Sequence, residues 1–239
     1  MLGWGGGSRL VNNPVDTRRR KMKRAKDRMD DIITKLKMTY PQSQTALHFE
    51  KPLQILVATM LSAQCTDEQV NKVTPALFRK YKTAADFAHA DPNTLEEEIR
   101  STGFFKNKTK SIISASKKIV DDFGGNVPDR MEDLITLQGV ARKTANIVLS
   151  SGYKKAEGIA VDTHVKRLSQ RLGLSKEKNP DKIELDLMNL VPREEWIDFN
   201  YMFVNHGRNT CQARKPDCPA CVLNSLCPSA KDFFPDLKS

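Results

Sequence analysis

The sequence predicts an all-α protein. Apolar residues recur at spacings of three and four along most of the chain, as in Val70, Val73 and Leu77, which is the period of an amphipathic helix. Alternation with a period of two over strand lengths is hard to find. Proline and glycine residues, such as Pro41 and Gly124, cut the helical pattern into short pieces. We expect about ten short helices, with no internal repeat and no long linker within 30–230.

Size and composition predict a folded protein of one large domain or two small ones. The chain has 239 residues, of which 39% are hydrophobic and 28% are charged. The longest apolar stretch, 53–61, is much shorter than the roughly 20 residues that cross a bilayer, so we expect no membrane partner. The first residues, MLGWGGGSRLVNNP, lack the apolar stretch of a secretory signal. We therefore expect a protein of a reducing compartment, cytoplasmic and associated with the nucleoid.

The net charge of +10 is distributed unevenly along the chain. Residues 1–28 hold nine basic and two acidic side chains, a net charge of +7, so that 29–239 carry only +3. A basic folded protein typically binds a polyanion. The segment 1–28 is predicted to be a flexible basic tail, and composition alone leaves two functions open for it. It is either an arm that contacts DNA or a solvated arm without a partner.

A tight helical hairpin is predicted at 134–150, which reads LITLQGVARKTANIVLS. Gly139 allows a sharp turn between two helices, and Ala141 precedes a helix that begins at Arg142. The backbone N–H groups at the start of that helix can bind a phosphate without reading the base sequence. The pattern is that of a helix-hairpin-helix, although a purely structural hairpin would have the same pattern.

Lys143 lies in the first turn of this second helix and is a candidate nucleophile. A lysine attacks only when it is neutral, and a cleft, the helix dipole and the neighbouring Arg142 would all lower its pKa. The alternative, which the spacing alone favours, is that Lys143 only binds phosphate.

Asp162 stands where the N-cap of a helix over 163–172 is expected, and capping is its default function. A carboxylate close to Lys143 would raise the pKa of that lysine and so would not activate it by charge. A chemical function for Asp162 would instead be to stabilise positive charge on a sugar ring and to move protons.

Four of the five cysteines form a ligand loop with the spacing C-x6-C-x2-C-x5-C: Cys211, Cys218, Cys221 and Cys227. Four thiols so close together in a chain without an export signal indicate a metal site more strongly than two disulfides. Zinc and an iron–sulfur cluster both accept four thiolates, so the ligand type leaves both open. Because only one close pair is present, the spacing favours a 4Fe–4S cluster modestly. The fifth cysteine, Cys65, is expected to be a packed thiol.

Six segments of the chain resemble, in order, the endonuclease III branch of the helix-hairpin-helix DNA glycosylases. They are LSAQCTD (61–67), GFFKNKTKSI (103–112), LQGVARKTAN (137–146), AVDTHVKR (160–167), NHGRNTC (205–211) and the four-cysteine loop. The resemblance implies a bilobed all-α fold with DNA across the cleft between the lobes. One lobe is a six-helix barrel at 45–155 that carries the hairpin. The other is a discontinuous iron–sulfur lobe made of 29–44, with an N-terminal helix, and 156–239.

The same resemblance implies functions for individual residues. Lys143 is the nucleophile, Asp162 is its carboxylate partner, and the four cysteines bind a 4Fe–4S cluster. Gln64 fills the space of an extruded nucleotide, and Phe104 enters the base stack as a wedge, for which core packing is the alternative. The hairpin residues Gly139, Ala141 and Arg142 contact the phosphate backbone. From the sequence itself, we add the two cations between the first cysteines, Arg214 and Lys215, as phosphate contacts.

The hairpin departs from the pattern of the family at two positions. Gln138 stands where the family has proline, and Ala141 stands where it has a second glycine. The loss of the proline makes the turn less rigid. It lowers the free energy of unfolding by about 0.4–1 kcal/mol, because the unfolded chain has more conformational freedom. Ala141 fits only if its φ is negative or if it begins the helix.

The resemblance implies a monomeric bifunctional enzyme that excises oxidised pyrimidines from duplex DNA and then cleaves the strand at the abasic site by β-elimination. A monofunctional adenine-mismatch glycosylase of the same superfamily uses a glutamate on the helix that matches 53–64, and those residues contain none. A non-catalytic helix-hairpin-helix module would have a degraded pair in place of Lys143 and Asp162, and both are intact.

Overall fold

The computed structural model describes residues 25–236, and these are helical without any strand. The all-α prediction is therefore confirmed. The helices of these residues are α1 (Met29–Thr39), α2 (Pro52–Leu61), α3 (Asp67–Lys80), α4 (Ala84–Ala88), α5 (Pro92–Ile99), α6 (Phe105–Phe123), α7 (Met131–Leu134), α8 (Arg142–Ile147), α9 (Thr163–Arg171), α10 (Pro180–Leu190), α11 (Trp196–Asn209) and α12 (Ala230–Phe233). Short 3-10 turns lie at Arg100–Thr102, Arg193–Glu195 and Asn224–Leu226, and a π turn at Val148–Gly152 follows α8. None of these helices is long and apolar enough to span a membrane.

Local sequence signals set many of the helix boundaries. The side chains of Thr66, Thr83 and Asp91 accept hydrogen bonds from backbone N–H groups in the first turns of α3, α4 and α5. Proline occupies the first position of α2, α5 and α10, where its missing N–H costs no hydrogen bond. The N-terminal helix ends at Thr39, earlier than the predicted segment 29–44, because Pro41 prevents continuation of the helix.

Two separate hydrophobic cores organise the described residues. The first is formed by α2 to α8 and the π turn, and it includes Ile55, Phe87 and Ile112, all nearly fully buried. Within it, α4 packs against α6, and the rings of Tyr81 and Phe87 stack at 4.8 Å. Each core forms because a single helix cannot bury its apolar face and must pack it against other helices.

The second core joins the beginning of the described chain to its last third. Helix α1 contributes Ile32 and Leu36, while α9, α10 and α11 contribute residues such as Phe199 and Phe203, whose rings lie 4.0 Å apart. The chain therefore leaves this core after α1 and returns to it after the π turn. As a result, α8, at the end of the first core, lies beside the second.

Residues 25–28, which the sequence analysis places in the basic tail, are part of the folded structure. Ala25 is buried in the second core, and the guanidinium of Arg28 donates to the carbonyl oxygens of Leu172 and Leu226. The predicted boundary at 28 is therefore too late by these four residues. The remainder of the predicted tail lies outside the described residues.

Candidate active site and nucleic-acid interface

The predicted hairpin is formed by α7, the turn 135–141 and α8. Gly139 has a φ of +81°, in the left-handed region that glycine adopts without strain. A Cβ at this position would lie 2.8 Å from the Cβ of Ser111 on α6 and 3.2 Å from the methyl group of Met60 on α2. Glycine is thus required twice here, by the backbone conformation and by the close packing of the turn on the first core.

Ala141 is the N-cap of α8, with φ −84° and ψ 168°. This extended conformation is open to any residue, so the second glycine of the family is not needed at this position. Backbone N–H groups at the start of a helix have no acceptor within it, and those of Arg142 and Lys143 have no backbone acceptor elsewhere in the described chain. They are therefore available to bind an anion.

Lys143 and Asp162 line the same cleft between the two cores. The cleft has a volume of about 620 Å³, including space open to solvent, and its other lining residues include Ser62, Asp67 and Asn205. Lys143 is exposed, and Asp162 is half-buried. The structure thus brings together the two residues to which the resemblance assigns the chemistry.

Asp162 is also the N-cap of α9, as its position in the sequence predicts. Its Oδ1 accepts a hydrogen bond from the backbone N–H of Val165 at 2.8 Å. Its other carboxylate oxygen, Oδ2, makes no hydrogen bond within the described chain. One side chain can therefore cap α9 and present a carboxylate oxygen to the cleft.

A buried carboxylate that the sequence analysis missed holds α8 in place. Glu184 on α10 is only 3% exposed and accepts hydrogen bonds from the Nε of Arg142 at 2.6 Å and from the Nδ2 of Asn146 at 2.8 Å. A Cβ on Gly158 would lie 2.0 Å from the Oε1 of Glu184, so the backbone at Gly158 passes close to the carboxylate of Glu184. No sequence pattern pointed to Glu184, since it lies on a helix with ordinary amphipathic spacing.

This ion pair changes how Arg142 affects Lys143. From the sequence, Arg142 is expected to be a free cation beside the lysine. In the structure Glu184 lies within 2.6 Å of the guanidinium and offsets much of its charge, so Arg142 is not a free cation beside Lys143. The Nη1 of Arg142 makes no hydrogen bond within the described chain, and it remains a candidate phosphate contact.

Gln64 and Phe104 share a rare backbone conformation. Their φ angles are 52° and 48°, and only one other non-glycine residue of the described chain, Lys154, has a positive φ. Such a conformation costs about 1–2 kcal/mol for an L-residue and is concentrated at functional sites. Both residues are exposed, in turns that follow α2 and precede α6.

Phe104 projects into solvent, with 61% of its surface exposed. The neighbouring Phe105 is instead half-buried, packs on the first core and lies 5.1 Å from the guanidinium of Arg100. The structure therefore excludes core packing for Phe104 and assigns it to Phe105. The ring of Phe104 is therefore open to contact with a binding partner.

An ion pair between Asp67 and Arg208 also joins the two sides of the cleft. The Nη2 of Arg208 on α11 lies 2.7 Å from the Oδ2 of Asp67, the first residue of α3. Both residues lie in motifs that the sequence analysis singled out, but nothing in the sequence indicated that they meet. Both residues line the cleft that contains Lys143.

The four cysteines of the predicted ligand loop line one cavity of about 420 Å³, a volume that includes space open to solvent. Cys65 is half-buried against the first core, as expected. No three His, Cys, Asp or Glu side chains of residues 25–236 converge as ligands of a single metal ion. The donor set of four cysteine sulfurs around one cavity is of the kind that iron–sulfur clusters take. Burial raises the pKa of Cys221 to about 11, so a metal would have to displace its proton.

Two side chains of the second core, Arg171 and His206, lie close to cysteine sulfurs. The Nη1 of Arg171 lies 3.2 Å from the Sγ of Cys211, and the Nε2 of His206 lies 3.4 Å from the Sγ of Cys221. Burial lowers the pKa of His206 to about 4, which keeps its ring neutral at physiological pH. Its other nitrogen contacts the hydroxyl of Tyr40 at 3.1 Å.

Arg214 and Lys215 are exposed on the loop between the first two cysteines. Neither has a hydrogen bond or an ion pair within the described part of the chain. Their charges are therefore not neutralised by the protein and can face an anionic partner.

Comparison with known proteins agrees with this geometry. Residues 57–193 match the model of the HhH-GPD superfamily base excision DNA repair protein. This match includes the hairpin, Lys143, Asp162 and Glu184, and it defines the chain as a helix-hairpin-helix protein of base excision DNA repair.

Endonuclease III of Synechocystis sp. is 55% identical over 212 residues, which cover 89% of this chain and 97% of the relative. Endonuclease III of Escherichia coli K12 is 36% identical over 82% of this chain and 93% of the relative. A solved complex of a trapped endonuclease III–DNA covalent intermediate superposes with a TM-score of 0.83 at 38% identity, covering 87% of this chain and 97% of that one. The chain belongs to the endonuclease III family.

Replacement of Gly139 with alanine is expected to destabilise the hairpin. The positive φ and the contact with Ser111 together should lower the free energy of unfolding by about 2 kcal/mol or more, as measured by urea denaturation. Ala141→Gly is the matched control in the same turn and should change it by less than about 0.5 kcal/mol, because φ is negative there. Equal effects of the two substitutions would contradict this account of the turn.

Proposed function

We propose that this protein is a bifunctional DNA glycosylase and abasic-site lyase that removes oxidised pyrimidines from duplex DNA. One observation carries the proposal. The amine side chain of Lys143 and the carboxylate of Asp162 line the same cleft, beside a hairpin that can bind an anion. A covalent intermediate with DNA is known for a relative 38% identical in sequence, which supports a nucleophile in this cleft. We further propose that the two cores correspond to the lobes 45–155 and 29–44 with 156–239.

The chemistry begins when neutral Lys143 attacks C1′ of the damaged nucleotide. The N-glycosidic bond breaks, and the base leaves with the bonding electrons and takes up a proton. The deoxyribose ring then opens to give a Schiff base with the lysine. Loss of a proton from C2′ allows the C3′–O bond to break, which releases the 3′ phosphate and cleaves the strand.

Asp162 supports this sequence in two ways. Its carboxylate stabilises the positive charge that develops on the sugar as the base departs. It also moves protons between the sugar and the amine while the Schiff base forms. Its bond to the N–H of Val165 holds one oxygen in place during these steps.

DNA is bound by several surfaces around the cleft. The N–H groups at the start of α8, with Gly139, Ala141 and the free Nη1 of Arg142, contact phosphates of the damaged strand. Gln64 occupies the space that the extruded nucleotide vacates, and Phe104 enters the stack as a wedge. Extrusion costs a few kcal/mol and is easier for a poorly stacked lesion, so selection begins before the cleft contacts the base.

The four cysteines bind a 4Fe–4S cluster in this proposal. They line one cavity, and the donors Arg171 and His206 lie at hydrogen-bond distance from two of the sulfurs, as is common around such centres. The cluster supplies a rigid cross-link of the loop and no nucleophile. It requires reduced thiols, so we place this protein, as a monomer, in the reducing cytoplasm beside the nucleoid.

Borohydride reduction tests the assignment of the nucleophile. With duplex DNA that contains an oxidised pyrimidine, the wild type should give a covalent adduct, and Lys143→Gln should give none and lose more than about 10³-fold in base excision. Lys35→Gln, at an exposed position on α1, is the control and should trap normally. Trapping by Lys143→Gln would disprove the assignment, and excision without any wild-type adduct would indicate a monofunctional glycosylase.

Asp162 combines capping and chemistry, and two substitutions separate these functions. Asn caps helices as well as Asp, so Asp162→Asn should change the free energy of unfolding by less than about 0.5 kcal/mol, whereas Asp162→Ala should lower it by about 1 kcal/mol. Both should slow the single-turnover chemical step at least about 100-fold. If Asp162→Asn keeps the wild-type rate, the residue only caps α9.

The cations of the cysteine loop are expected to act through the phosphate backbone. Replacement of both Arg214 and Lys215 with alanine should weaken DNA binding irrespective of sequence and flatten the dependence of log K on log salt by about one to two units. Lys35→Ala should leave the slope unchanged. A double variant with the wild-type salt slope would show that the two side chains are only solvated.

A further inference from the structure

A buried lysine links the two turns that carry Gln64 and Phe104. Lys108, in the first turn of α6, is only 6% exposed. Its Nζ donates to the carbonyl oxygen of Leu61 at 2.7 Å and to that of Thr102 at 2.8 Å. Leu61 ends α2, and Thr102 ends the 3-10 turn that precedes α6. One ammonium group therefore joins two segments that are distant in the sequence.

The environment of Lys108 is unusual for a charged group. No carboxylate of residues 25–236 forms an ion pair with it, and burial lowers its pKa. Its partners are carbonyl oxygens, and that of Leu61 lies at the negative end of the α2 dipole. Because burial of a charge is costly, an apolar side chain would serve better if packing were the only requirement. The position therefore needs a group that can donate to both carbonyls at once.

Each carbonyl stands at the base of a strained turn. Gln64 follows Leu61 by three residues, and Phe104 follows Thr102 by two. Both have left-handed backbones, with φ values of 52° and 48°, and both are exposed. Such conformations persist only where the flanking chain is held firmly. The bonds from Lys108 hold the flanking chain on one side of each turn.

A second, exposed contact joins the same two regions and provides a comparison. The Nε2 of Gln69 on α3 donates to the hydroxyl of Ser101 at 2.8 Å. This bond is open to water, which competes for both groups, so its loss is expected to matter little. The buried bonds of Lys108 have no such replacement.

We propose that Lys108 is a positioning residue that sets the separation of Gln64 and Phe104, so that both side chains enter the duplex as one unit. The inference rests on the proposed function. Lys108 does not touch DNA, and it acts on nucleotide extrusion and not on the attack by Lys143. Its loss should therefore affect reactions that require extrusion and spare those that do not.

The test compares two substrates with the full-length protein. One is duplex DNA with an oxidised pyrimidine next to 2-aminopurine, whose fluorescence reports unstacking, and the other is a single-stranded oligonucleotide with a preformed abasic site. Lys108→Met should slow both the fluorescence change and single-turnover excision in the duplex at least about tenfold. Strand cleavage in the single strand should change less than about twofold. Lys108→Arg, which retains charge and several donors, should restore most of the duplex rate.

Three outcomes would overturn the inference. They are a wild-type duplex rate in Lys108→Met, an equal loss on both substrates, and an equal loss in the control Gln69→Ala. If Lys108→Met does not fold, Lys108→Gln, whose amide can donate to one carbonyl at a time, is judged by the same ratio of the two rates. Failure of the proposed function is distinct, since the wild type itself would then form no borohydride-trapped adduct on either substrate.

Discussion

The buried carboxylate of Glu184 is the interaction on which the active-site geometry depends. It lies on α10 in the second core and accepts hydrogen bonds from Arg142 and Asn146 on α8, whose apolar side belongs to the first core. Loss of Arg142 or Asn146 would leave the buried carboxylate of Glu184 short of a donor, so these contacts hold the two cores in one relative position. Lys143, on the same short helix, is thereby aimed into the cleft that Asp162 enters from α9.

Two surfaces of the first core differ in their physical character. The hairpin presents backbone N–H groups that can bind an anion without regard to base sequence. Its turn packs tightly against α2 and α6, where only the glycine at position 139 fits. The turns with Gln64 and Phe104 instead hold strained, exposed side chains. The first surface is suited to any anion, and the second holds two side chains in fixed positions that face solvent.

The segment 29–239, which makes up nearly all of the folded body, carries a net charge of only +3. The placement of charge therefore matters more than its sum. Arg142 and Arg208 are ion-paired, while Arg214 and Lys215 remain without partners within residues 25–236. Arg208 lines the cleft and Arg142 anchors α8 beside it, while Arg214 and Lys215 are exposed and can face an anion.

The sequence by itself determined the helical class, the turn at Gly139, the N-cap at Asp162 and the four-cysteine loop, because each depends on residues close together in the chain. Its resemblance to a family predicts that Lys143 is the nucleophile and that Phe104 is a wedge. Only the tertiary structure decided that Arg142 is neutralised by Glu184, 42 residues away, and that Lys108 donates to the carbonyl of Leu61, 47 residues away. These partners were not predictable, because helical periodicity shows which face of a helix is buried but not which distant backbone or side chain meets it.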